Sequence, residues 1–175
     1  CNFVILMKDE TSERIPLTLS NWDEEQGTIT LYYQETGLST RELTEVRPHD
    51  HLYSVVGPLG KDLKLEKVGT VLLGGGCYGI GAIYPLAREL KKLGNEVLVI
   101  LEARNRLLFY LDEEFEEMAD DVLYCTSDGS KGFTGKIDVG IQHALEKHPD
   151  IGLCHFIGCN HMMREASETT KHKGE

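Results

Sequence analysis

The chain has no apolar run approaching the length of a membrane-spanning helix, no internal repeat and no low-complexity segment. No Gly-Lys-Ser/Thr follows its glycine cluster, which argues against a P-loop, and no Gly-x-Ser-x-Gly elbow supports a serine hydrolase. There is no Cys-x-x-Cys either. Five cysteines, Cys1, Cys77, Cys125, Cys154 and Cys159, form no framework, and the odd count points to reduced thiols in a cytoplasmic protein. Positive charge is scarce: 18 Lys+Arg against 29 Asp+Glu leave a net charge of −11. That balance argues against nucleic acid and against an anionic membrane surface as partners. No signal peptide is visible. The opening Cys1-Asn2-Phe3-Val4-Ile5-Leu6-Met7 reads as a strand from within a domain, so a piece of a longer protein is expected.

What is present is a glycine cluster in a telling place. Five glycines fall in the eight residues Gly74-Gly75-Gly76-Cys77-Tyr78-Gly79-Ile80-Gly81. The buried-strand pattern Thr70–Leu73 precedes them, and a helix over 80–93 follows with Ile83, Leu86, Ala87 and Leu90 on one face. Strand, glycine turn and helix is the order that bares backbone amides to a diphosphate. Gly74-x-Gly76-x-x-Gly79 also matches the dinucleotide fingerprint, although glycine clusters serve plain tight turns too. The next strand, 96–101, ends at Glu102, a residue type suited to a ribose hydroxyl. Cys77, near a helix N-terminus, is a candidate reactive thiol or a small filler.

The chain's 175 residues allow one core or two small domains, and the pattern divides in two. Residues 1–66 read as all-β. Strands are expected at 3–7, at 15–19 (broken by Pro16), at 28–33 and at 52–56. A turn is expected over 21–27, and a short helix over 39–46 with Ser39 or Thr40 as N-cap. Gly57-Pro58-Leu59-Gly60 reads as the start of a linker. Residues 67–175 alternate strand and helix, predicting a mostly parallel sheet. Its later elements are a helix carrying Leu108, Leu111, Phe115 and Met118, strand 122–125, helix 136–147, strand 152–157 and a helix from about His161. The acids between Asp112 and Asp121 read as a solvated helix face. Cys154 and His155 point to opposite faces of a strand, so they and Cys159 and His161 make a poor zinc set, and no metal site is expected.

Several anchors occur in a distinctive order: Arg14-Ile15-Pro16-Leu17-Thr18, Gly37-Leu38-Ser39-Thr40, Val56-Gly57-Pro58-Leu59-Gly60, Gly74 to Pro85, Asp128-Gly129-Ser130 and Ile157-Gly158-Cys159-Asn160-His161-Met162-Met163. Over nearly its whole length the chain resembles the ferredoxin–NADP reductase superfamily. Within it the likeness is to electron-transfer subunits such as those of dihydroorotate dehydrogenase, sulfide dehydrogenase and NADH-dependent ferredoxin–NADP oxidoreductase. The resemblance implies an antiparallel FAD-type β-barrel over 1–66, its front strands missing, followed by an α/β NAD(P)-binding domain over 67–175.

It also implies roles. Arg14, Pro16, Leu17 and Thr18 would lie along FAD, with Pro16 and Leu17 backing the ring and Thr18, the expected catalytic residue, near its N5. Gly37, Ser39 and Thr40 would hold the FAD pyrophosphate. Gly74, Gly75, Gly76, Gly79, Ile80 and Gly81 would take the NAD(P) pyrophosphate, Asp128 and Ser130 the adenine-side ribose, and Gly158 the nicotinamide. Hydride would pass between nicotinamide and flavin, and electrons onward to an iron–sulfur or flavin-containing partner subunit. The [2Fe-2S] segment of full-length relatives has no counterpart among these cysteines. Many relatives carry a second arginine where this chain has Ile15, and a glycine turn without the Cys77-Tyr78 pair. Two other readings stay open: a Rossmann-type NAD-dependent dehydrogenase domain with Glu102 on the ribose, and a non-catalytic partner-binding remnant. Ser127, Arg104 and Arg106 would suit NADPH, whereas Glu102 and Asp128 pull toward NADH.

Overall fold

A computed structural model describes residues 2–171; Cys1 and the last four residues lie outside the described part. The chain divides after Leu63 into two compact units. Among the described residues no helix is long and apolar enough to cross a membrane.

The first unit is an antiparallel sheet of four strands, β1 (Phe3–Met7), β2 (Ile15–Asp23), β3 (Thr28–Leu31) and β4 (Ser54–Leu59), ordered β3-β2-β1-β4, with a short helix α1 (Leu38–Leu43). Alternation along β1 turns Val4 and Leu6 inward, where Leu43, Ile15, Leu17 and Leu31 pack on them. Three expectations are corrected here. Pro16 does not break β2. β3 pairs only with Leu19–Asp23, so the stretch containing Pro16 has one open edge, where a residue without an N–H is tolerated. Asn21, Trp22 and Asp23 belong to β2 and pair with β3; the turn is shorter, with Asp23 Oδ1 accepting from the amides of Glu25 and Gln26 and Gly27 at φ 64°. Gly57, Pro58 and Leu59 continue β4 rather than starting a linker. A Cβ on Gly57 would lie 2.7 Å from Val4 Cγ1, so glycine lets β4 close on β1.

The second unit is a parallel sheet of five strands with helices between them. In chain order it runs β5 (Thr70–Gly76), α2 (Gly79–Lys92), β6 (Glu96–Ala103), α3 (Asp112–Met118), β7 (Asp121–Thr126), β8 (Phe133–Thr134), α4 (Ile137–Lys147), β9 (Ile151–Ile157) and α5 (Asn160–Thr170). The spatial order is β8-β7-β6-β5-β9. Val71, Leu73, Val97 and Val99 are fully buried, as the continuous apolar runs predict. Leu72, Leu98, Ile100, Cys125, Ile137, Ile141 and Met162 form one core cluster. The helix expected to carry both Leu108 and Leu111 does not form. Leu108 lies in an exposed 3-10 turn and Leu111 takes a left-handed conformation, so α3 starts only at Asp112. Asp112, Glu113 and Glu114 then complement the positive end of its dipole.

α2 ends with Gly94 at φ 81°, its amide donating to Lys91 O while the Asn95 amide reaches Leu90 O. Buried Asn95 is the staple that follows. Its Oδ1 accepts from the amides of Val68 (2.7 Å) and Gly69 (3.2 Å), and its Nδ2 donates to Glu66 O (3.1 Å) and Leu90 O (2.9 Å). This ties the entry of β5 to the exit of α2. Asn95→Ala leaves these groups without partners and is expected to lower the unfolding free energy by about 2–4 kcal/mol. Denaturant titration checks this, and Asn95→Asp, which keeps the two acceptor contacts, should recover part of the loss.

Candidate functional site

Along the second sheet β5 is followed outward by β6, β7 and β8, after which the chain returns to place β9 on the other side of β5. Strand order therefore reverses between β5 and β9. In open parallel sheets the crevice at the carboxyl ends of such a pair is where ligands bind.

The glycine cluster lies there, and its members do different things. Gly74, Gly75 and Gly76 are the end of β5 rather than a loop, and all three are buried. A Cβ on Gly74 would lie 2.4 Å from Phe156 Cδ1, one on Gly75 2.8 Å from Ile83 Cδ1, and one on Gly76 2.6 Å from Met162 Sδ. These glycines make room for the chain's own side chains. The expectation of a glycine loop here is corrected: these three residues are strand. The turn itself is only Cys77-Tyr78, both exposed, with Cys77 in the left-handed region at φ 53°. Gly79 opens α2 so close to β9 that a Cβ would stand 1.8 Å from Ile157 O. Ile80 is fully buried, so only its main chain faces the turn. Gly158 is likewise constrained, since a Cβ there would lie 2.6 Å from Met162 Sδ and 3.3 Å from Gly76 O.

Tyr110, in the segment after β6, reaches the turn with no signal in the sequence. The Gly81 amide donates to its Oη (3.0 Å), and that hydroxyl donates to Cys77 O (3.1 Å). The first turn of α2 thus offers an amide to an oxygen, and a tyrosine hydroxyl stands in for one. The expectation of an activated Cys77 thiol is also corrected: burial, with Cys159 and Glu102 nearby, pushes it up despite the opposing charge of Arg104.

Asp128 and Ser130 come together at the end of β7, two strand spacings or about 10 Å from the turn. The Ser130 amide donates to Asp128 Oδ1 (3.0 Å), and this contact with Ser130 holds the Asp128 carboxyl below its ordinary range. The Arg106 amide donates to Ser130 Oγ (2.8 Å), joining this loop to the one after β6.

Glu102 points elsewhere. Its Oε2 accepts from the Ile137 amide (2.6 Å), so it caps α4. That use of the carboxylate removes the observation that favoured a Rossmann-type ribose contact. Lys136, which donates to Glu165 Oε1 (2.7 Å), lies beside it. Among the described residues no group of three or more His, Cys, Asp or Glu could hold a metal ion.

In the first unit, Leu17 packs into the core while Pro16 and Thr18, one residue to either side, share the opposite face of β2. A flavin along that face would meet Pro16 and Thr18 as side chains and Leu17 as main chain. Neither Ser39 nor Thr40 is the N-cap of α1; Gly37 is. Thr40 Oγ1 accepts from the amides of Thr36 (3.0 Å) and Gly37 (3.1 Å), and Ser39 Oγ donates to the carboxylate of Glu13. An anion already occupies the Ser39 hydroxyl, and Arg14 lies exposed beside Glu13 in the sequence.

No protein-family model matches the chain. It is 36% identical over 162 residues to the electron transfer subunit homolog of dihydroorotate dehydrogenase B (NAD(+)) from Thermotoga maritima, covering 93% of this chain and 57% of that protein. It is 34% identical over 137 residues to the electron transfer subunit of the same enzyme from Bacillus caldolyticus, covering 76% of this chain and 52% of that one. The chain thus spans about half the length of the curated relatives it matches. Among solved structures, the NADH-dependent reduced ferredoxin–NADP oxidoreductase studied for flavin-based electron bifurcation superposes with a TM-score of 0.87 at 33% identity, covering 97% of this chain and 61% of that one. The Amycolatopsis cytochrome P450 reductase GcoB, at 20% identity and a TM-score of 0.79, shares the fold.

Burial is the main reason the Glu102 carboxyl titrates above its ordinary value of 4.5, against the lowering pull of the Ile137 amide. A raised acid keeps its proton longer in the folded chain than in the unfolded one. Stability therefore declines as pH rises through the window that opens at 4.5 and extends upward to the folded value. Glu102→Gln retains an oxygen for the Ile137 amide and has no proton to lose. Its stability should be flatter with pH across that window, as urea midpoints measured from pH 4 to 8 would reveal.

Proposed function

The chain belongs to the ferredoxin–NADP reductase superfamily, and from that premise we propose that its first unit holds FAD and its second a nicotinamide dinucleotide, as part of a flavoprotein electron-transfer subunit. The observation that carries the reading is the reversal of strand order at β5 and β9, with the Cys77-Tyr78 turn and the start of α2 at its mouth. When bound, the two groups supply hydride transfer between nicotinamide and flavin, and single electrons for an iron–sulfur or flavin-containing partner subunit. The chain's own contribution is binding and orientation. The start of α2 at Gly79 takes the nucleotide diphosphate, and the Tyr110 hydroxyl gives up the Gly81 amide to it. Asp128 and Ser130 accept from and donate to the distal ribose, and Gly158 leaves room for the nicotinamide. The ionised Asp128 carboxylate repels a 2′-phosphate, which favours NADH over NADPH.

In the first unit Arg14 and Ser39 bind the FAD diphosphate, Gly37 and Thr40 shape the first turn of α1 around it, and Pro16 and Thr18 line the ring, with Thr18 nearest N5. The Glu13 carboxylate on Ser39 supports this reading, because it shows the Ser39 hydroxyl already donating to an anion. The cytoplasm is the proposed location.

Two measurements test the proposal. The purified chain, titrated with FAD and then anaerobically with NADH, should develop a flavin spectrum and bleach it; a chain that takes up neither cofactor overturns the reading. NADPH should bind more weakly, and Asp128→Ala should narrow the gap. Separately, Glu13→Ala clears the competing carboxylate from Ser39 and is expected to tighten FAD roughly three- to tenfold by fluorescence-quenching titration. Unchanged or weaker binding would place the FAD diphosphate elsewhere.

A further inference from the structure

We propose that Cys77 and Cys159 form a reversible intrachain disulfide that fastens the glycine turn to the end of β9. Parallel pairing of β5 with β9 runs in register from Val71 opposite Leu153 to Gly75 opposite Ile157. Two residues further along each chain stand Cys77 and Cys159. The chains have not parted there, for a Cβ on Gly158 would lie 3.3 Å from Gly76 O, and one on Gly79 1.8 Å from Ile157 O. Cys77 and Cys159 stand one and two residues past the ends of β5 and β9, neighbouring strands whose spacing of about 4.8 Å lies inside the Cα separation of about 4.4–6.8 Å that a disulfide spans. Both thiols are exposed and free, whereas Cys125 is buried and Cys154 half-buried. The electrostatics agree with the geometry: Cys159 is among the groups that hold the Cys77 thiol up, after burial itself.

Hydrogen peroxide is the oxidant. Cys159, exposed at the N-cap of α5, reacts first. Its thiolate sulfur attacks one peroxide oxygen and the O–O bond breaks, giving a sulfenic acid and a hydroxide that takes up a proton as water. The Cys77 sulfur then attacks the sulfenyl sulfur. The S–S bond forms, the S–O bond breaks, and the departing hydroxide leaves as water with the Cys77 proton. Two thiols have lost two electrons and two protons, and one peroxide has become two waters. A small dithiol restores both thiols by exchange. The cross-link joins the turn ahead of α2 to Cys159, the N-cap of α5. Its consequence rests on the nucleotide reading above: it shuts the mouth through which the dinucleotide enters.

The full chain, treated with equimolar hydrogen peroxide and digested without reduction, is expected to yield one peptide pair joining Cys77 to Cys159. That pair is two hydrogens lighter than its free peptides and is reversed by dithiothreitol. The pair should be missing from Cys77→Ser and Cys159→Ser. Dimedone should trap a sulfenic acid at Cys159 in Cys77→Ser, and far less at Cys77 in Cys159→Ser. Sulfinic acids at both positions without a joined peptide, or disulfides only between separate chains, would overturn the proposal. In calorimetry the oxidised chain should bind NADH at least tenfold more weakly than the reduced one, and equal affinity would refute the gating. A reduced chain that binds no NADH sinks the nucleotide reading, while the peptide map still decides the disulfide.

Discussion

The carboxyl edge of the second sheet depends on one close approach. α2 begins so near the last carbonyl of β9 that no side chain fits on Gly79, where a Cβ would stand 1.8 Å from Ile157 O. Everything at that edge follows from the contact. It draws the start of α2 across the point where strand order reverses, and it holds Gly158 beside Gly76. It also leaves a two-residue turn between β5 and α2. Gly76 and Gly158 repeat the device on a smaller scale, because a Cβ on either would collide with Met162, which α5 drives into the same space. Glycine here serves density first.

A chain of net charge −11 can still hold a diphosphate, because backbone amides and hydroxyls are fixed dipoles indifferent to net charge. On the proposed reading, two internal oxygens stand where a diphosphate would bind. In the second unit the Tyr110 hydroxyl accepts from the Gly81 amide, and in the first unit the Glu13 carboxylate accepts from the Ser39 hydroxyl. Each is an oxygen on a donor near the first turn of a helix. Glu102 behaves differently. Its carboxylate is partly buried and closes the first turn of α4, which ties it to the fold.

Much of this was legible in the residues. The two-part organisation, the run of alternating strands and helices after residue 67, and the strands read at 3–7, 70–73, 96–101 and 152–157 all carry their own apolar periodicity, which is a local property, and the structure extends the last three by one to three residues. The errors fall where a neighbour overrides local preference. Pro16 and the Gly57-Pro58 pair read as breaks, yet they are strand, because an open edge tolerates the proline and β1 requires the glycine. Leu108 and Leu111 have helical spacing, but a left-handed residue at 111 ends that pattern. Glu102 ends β6 as a ribose-binding acid would, and only the position of α4 directs it to another task.

The amino-acid sequence by itself therefore determined most of the strands and helices, that a glycine cluster lies between a buried strand and an amphipathic helix, and to which superfamily the chain belongs. The tertiary structure alone decided which glycines face the chain's own side chains and which stand at the turn. It alone brought Tyr110 to the Gly81 amide from 29 positions away, and Cys159 to the end of the strand that leads into Cys77. The physical reason is that periodicity and turn chemistry act within a few residues, whereas strand order, register and close packing join residues far apart in the chain, with no repeat to announce them.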